Sequence, residues 1–155
     1  MTTNFSLHRR ELLPYAVIFW LITFLFLLRV VGQVLVAYWS VPFLPPMSAW
    51  YSGLIPYPVL LPLQILLLIV MTMISYSFTM GMGLLVIQRR TLGLALQYFS
   101  YLYFGSMVLR YIITMALHPE QRWFGGAIPI IYHWILAAYV FTLGHFHTNE
   151  NMHHV

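Results

Sequence analysis

Two arginines, Arg29 and Arg110, stand inside long apolar stretches, and no aspartate or glutamate accompanies them there. The three acidic residues of the chain are Glu11, Glu120 and Glu150. A guanidinium near the centre of a bilayer costs on the order of 2.5–3.5 kcal/mol by insertion scales. The chain carries that cost at two positions, so the missing negative charge is the first chemical clue. Guanidinium forks bind carboxylate and phosphate through paired hydrogen bonds, whereas burying such charges unpaired is several kcal/mol too costly. The expected counter-ion is an anionic phospholipid headgroup, the propionates of a haem, a small molecule bearing carboxylate or phosphate, or acidic side chains of a neighbouring subunit.

Three uncharged polar residues fall at a similar level. At 1.5 Å of rise per residue, Arg29 lies about 13 Å from the far end of its span, Gln33 about 7 Å, Gln64 about 10 Å, Arg110 about 10 Å and His133 about 9 Å. Arg29 and Gln33 are four apart and share a helix face. Tyr103, Ser106, Arg110 and Thr114 form a polar stripe on their own helix. Arginine also snorkels, and by that reading both guanidinium groups reach lipid phosphates without lining anything. Gln33, Gln64 and His133 have no such motive, so a polar, anion-binding pocket in one half of the membrane is the reading that accounts for all five. Residues of this kind face a bundle interior or a water-filled cavity.

His118 and His133, on adjacent spans at comparable height, raise an alternative: a small redox protein holding haem b or a quinone, with both histidines as axial ligands or hydrogen-bond donors. A small-solute or lipid carrier using the same pocket is a third reading. Met71, Met73, Met80 and Met82 would suit Cu(I) as soft ligands, but residues two apart face away from each other on a helix, and methionine is an ordinary packing residue. The same segment holds Ser75, Ser77, Thr79, Gly81 and Gly83, small enough for close helix approach. His145 and His147, with His153 and His154, make a histidine-rich tail that reads as a solvated helix end. The chain has no cysteine, and no Ser-His-Asp set, paired carboxylates or phosphate-cradling glycine loop. No catalytic residue or resident metal site is assigned.

The elements that must carry these residues follow from composition. The chain has 155 residues, 6% of them charged, and a mean hydropathy of +0.83, against about 25% charged in soluble domains. Four apolar segments, at about 15–38, 59–88, 92–117 and 127–144, fill most of it, which predicts one all-α membrane domain, a four-transmembrane-helix bundle. The second segment exceeds the roughly 30 Å hydrocarbon core, so tilt, a break near Gly81 and Gly83, or a projecting end must absorb the excess. Residues 39–58 form an uncharged loop with prolines at 42, 45, 46, 56 and 58, expected to cap the bundle with one helical turn around Met47 to Tyr51.

All seven basic residues are arginine. Arg9, Arg10, Arg89 and Arg90 flank one side of the membrane, which by the positive-inside bias puts both termini in the cytoplasm. No basic-aromatic pattern points to nucleic acid. The chain therefore reads as a multi-pass protein of a bacterial inner membrane or an equivalent energy-transducing membrane. Its leading functional reading is a non-catalytic accessory subunit, in contact with the lipid bilayer, bound phospholipid and other membrane subunits.

Overall fold

The computed structural model describes residues 2–50, 56–117 and 127–149, without the side chains of 2–9, 48 and 127. The described residues form five helices: α1 (Thr2–Trp39), α2 (Met47–Trp50), α3 (Tyr57–Met80), α4 (Arg90–Leu117) and α5 (Ala127–Thr148). No strand occurs among the described residues. Four of the helices contain spans of 30, 24, 28 and 21 residues that are long and apolar enough to cross a membrane. A multi-pass membrane protein follows from their length and composition.

Helix boundaries depart from the sequence expectation where local chemistry overrides hydropathy. α1 does not start at 15 but continues through the polar arm from Thr2, with Pro14 inside it. α3 ends eight residues sooner than 88. Gly81 adopts the left-handed conformation (φ 67°) and its N–H bonds to the Ser77 carbonyl, which also accepts the Met82 N–H at 3.1 Å. Gly83, at φ 117°, continues a turn that only glycine enters without strain. The glycine break, rather than an overlong helix, thus accounts for the second segment's length. Pro56 caps the other end of α3. α5 runs four residues past 144 and carries His145 and His147 in its last turn.

The core is built by three helices. Phe19 and Phe26 of α1, Met71 and Phe78 of α3, and Tyr139 and Phe146 of α5 are all nearly or fully buried. Phe78 meets Phe146 edge-on at 4.7 Å between centroids and Phe19 at 4.8 Å, geometry that adds about 0.5–1.5 kcal/mol per pair to area burial. The Tyr139 hydroxyl donates to the Met71 carbonyl at 3.0 Å, and the Thr23 and Ser75 hydroxyls lie 3.2 Å apart. Met71 is therefore a core residue, while Met73 and Met82 point outward. Of the small residues on α3, Ser75 and Thr79 face α1: Thr79 accepts from Trp20 Nε1 at 2.9 Å.

α4 stands outside this trio and packs chiefly along α5. Only 11% of its apolar window is buried, against 44% for α1, and its buried residues are Gly93 and Ser100. Near the end that carries the chain termini the two helices cross closely. A Cβ placed on Gly93 would sit 2.8 Å from the Gly144 carbonyl oxygen, and one on Gly144 would sit 2.9 Å from the Gly93 oxygen. Small residues allow this approach where lipid supplies no hydrophobic driving force.

Candidate functional site

Proline chemistry shapes the lid of the site. Prolines 42, 45 and 46 keep the chain after α1 out of a regular ladder, and α2 is left as a single turn at Met47–Trp50, close to the expected position. Trp50 then packs across α1. Its ring reaches within 2.8 Å of a Cβ built on Gly32, so only glycine fits there. The indole Nε1 donates to the Pro45 carbonyl at 3.0 Å, and Trp50 clusters with Val36 and Ala49, flanked by Leu44, Met47 and Ile128. Among the described residues, this apolar plug covers Gln33 at the cap end of the bundle.

Directly beneath it lies an amide pair. Gln33 is fully buried and Gln64 nearly so. Gln64 Nε2 donates to Gln33 Oε1 at 2.9 Å, and Gln33 Nε2 reaches the Trp50 carbonyl at 3.5 Å. The pair ties α1, α3 and the α2 cap together. Gln64 Oε1 is buried with no hydrogen-bond partner, an acceptor left facing the interior.

One helical turn away along α1 is Arg29, 7% exposed. Its Nε is buried and unpartnered, and no carboxylate pairs with it among the described residues. Aromatic faces surround the guanidinium instead: Cζ lies 5.2 Å from the Tyr132 ring centroid and 5.8 Å from that of Phe26. Cation–π contact is worth about 2 kcal/mol when desolvated, less than the desolvation penalty of several kcal/mol for a buried ion. The rings offset part of the cost, and no acidic side chain compensates the rest among the described residues.

α4 and α5 supply the other wall. Tyr103 and His133 are joined by a short hydrogen bond between the phenol oxygen and Nδ1, with the rings edge to face at 5.7 Å. His133 lies within Coulombic reach of both Arg29 and Arg110, and Gln33, one turn from Arg29 on α1, is bonded to Gln64. Arg110 is partly exposed on α4. Ser106 departs from the expected stripe: it is exposed and its hydroxyl turns back to the Tyr103 carbonyl at 2.7 Å. His118 lies outside the described residues, as do Glu120, Arg122, His153 and His154. Tyr132 and the Trp50 carbonyl are site groups that residue type alone did not single out, because neither one tyrosine among eleven nor a backbone oxygen carries a sequence signal.

The opposite end is a structural junction. Gln88 Nε2 donates to the carbonyls of Phe146 (2.8 Å) and Asn149 (3.1 Å), which satisfies the end of α5. His147 is not solvated as expected. It is fully buried, and its Nδ1 accepts the Arg89 N–H at 3.3 Å. Gln97 donates to Thr148 Oγ1 and Asn149 to the Tyr15 hydroxyl. These bonds hold the end of α5 to the α3–α4 turn, to the first turns of α4 and to Tyr15 of α1. A separate apolar groove of about 230 Å³ lies between α4 and α5 beside Phe104, Trp134 and Phe141. None of the sequence-predicted site residues lines it.

Chemically, the cap-end site offers guanidinium donors, amide groups and a phenol–imidazole pair, and the one carboxylate on the helices that build it, Glu11, lies eighteen positions from Arg29 along α1. It is equipped to recognise negative charge. Comparison with protein-family models, with curated proteins and with solved structures finds no match to this chain.

Proposed function

We propose that this chain is a non-catalytic integral membrane accessory subunit of a larger membrane complex, with a pocket in the outer leaflet that meets an anion through Arg29 and Arg110. Gln33, Gln64 and His133 complete the pocket, and the anion is an anionic lipid, a cofactor or a partner carboxylate. The observation that carries this reading is the buried guanidinium of Arg29, whose Nε has no hydrogen-bond partner. A desolvated cation is stable in a fold when a well-placed negative charge and hydrogen bonds compensate it, and the described residues supply Arg29 with no such charge.

The outward-facing surface of α4 supports the subunit role. Tyr98, Tyr101, Leu102, Leu109 and Ile112 are all well exposed, and the helix carries more aromatic surface than its own chain covers. Orientation rests on charge: Arg10, Arg89 and Arg90 lie at the end that holds both termini, and the positive-inside bias assigns that end to the cytoplasm.

Purification from the native membrane in a mild detergent tests the proposal. The chain is expected to co-purify in fixed stoichiometry with larger membrane subunits. Recovery as a lone monomer under conditions that keep other membrane complexes intact would overturn the subunit assignment.

A further inference from the structure

The two walls of the cap-end site belong to helices that make no extended contact with each other. α1 carries Arg29, α4 carries Tyr103 and Arg110, and α4 reaches the rest of the molecule chiefly through α5, which supplies Tyr132 and His133 as a floor. Arg110, Tyr103 and His133 are each only partly covered. From the aqueous side, the same region lies beneath the plug of Trp50, Val36 and Ala49. Spans of this length are surrounded by lipid, and among the described residues no extended packing of α1 on α4 closes the side between them.

A water-soluble anion would have to cross the plug or the hydrocarbon to reach Arg29. An amphiphile already in the leaflet needs only to slide its headgroup between two helices. We infer that the anion is the phosphate headgroup of a membrane amphiphile that enters laterally between α1 and α4. This rests on the anion-binding reading above and names its ligand class. Charge count refines it. No acidic residue lies between Glu11 and Glu120, the stretch that holds both guanidinium groups, so a phosphate monoester, which carries up to two negative charges, compensates them more fully than a phosphodiester with one. The phosphate oxygens take the Arg29 and Arg110 donors.

The test uses the full chain, purified and stripped of lipid in a neutral detergent. Dioleoyl phosphatidic acid, phosphatidylglycerol and phosphatidylcholine are added in turn, and inorganic phosphate in a separate arm. Native mass spectrometry reads retained lipid, and the unfolding midpoint reads stabilisation. Phosphatidic acid is expected to bind tightest, phosphatidylglycerol next and phosphatidylcholine least, with no stabilisation by millimolar inorganic phosphate. Arg29→Gln and, on the partly exposed wall where folding is not at stake, Arg110→Gln are each expected to weaken phosphatidic acid binding on the order of ten- to a hundredfold. If inorganic phosphate stabilises as well as the lipid does, lateral entry is wrong while the anion pocket stands. If no anion binds, or Arg110→Gln binds as tightly as the parent, the lipid assignment falls. Should neither lipid nor free phosphate act and neither arginine matter, the anion reading falls with it.

Discussion

Replacing Gly93 with alanine places a methyl group where α4 and α5 cross. The new Cβ would stand 2.8 Å from the Gly144 carbonyl oxygen and 2.8 Å from the His147 Cβ. That is about 0.6 Å inside an ordinary contact, and the obstacle on one side is backbone, which cannot rotate away. The helices must separate by several tenths of an ångström, and overpacking of this kind costs about 1–3 kcal/mol. α4 has little else to hold it, because it packs chiefly on α5 and buries little of its own surface. Gly105→Ala is the matched control. Gly105 is on the same helix, and a Cβ there meets nothing within 4 Å. Relief of glycine's backbone entropy then predicts a neutral change or a gain of under about 1 kcal/mol. Equilibrium unfolding in mixed micelles with rising dodecyl sulfate, followed by circular dichroism, measures both. Gly93→Ala should lose about 1–3 kcal/mol while Gly105→Ala does not. Equal stability of the two variants would mean that the close crossing does not exist.

Two further outcomes follow from the polar contacts. In a double-mutant cycle on Gln33→Leu and Gln64→Leu, the pair should show a favourable coupling of about 0.5–1.7 kcal/mol, the range for hydrogen bonds between membrane helices. Additive losses would place the two amides out of contact. Gln88→Ala removes the group that satisfies the Phe146 and Asn149 carbonyls and should cost about 1–3 kcal/mol. Hydrogen exchange should speed up in the last turn of α5 and leave its first turns unchanged. Uniform acceleration along the helix would show that Gln88 does not act as a local cap.

Hydropathy alone determined the class of this protein and the approximate position of its four spans, because an apolar run of some twenty residues has no other use at this length. The sequence left a break near Gly81 and Gly83 as one of three ways to absorb an overlong second segment, and the structure takes it, because glycine enters positive φ without strain. The mismatch between Arg29 and Arg110 on one hand and the absence of acidic residues beside them on the other was equally legible, as counting charges needs no coordinates. The rotation of each helix was not. Spans that are apolar nearly all round present no polar face to fix their phase, so side-chain packing chooses which residues meet. Only the tertiary structure could set α4 outside the trio of α1, α3 and α5, join Tyr103 to His133, bury His147 against the α3–α4 turn and bring Gly93 onto Gly144. Each of those depends on the fit of one surface against another, and residue type does not encode it.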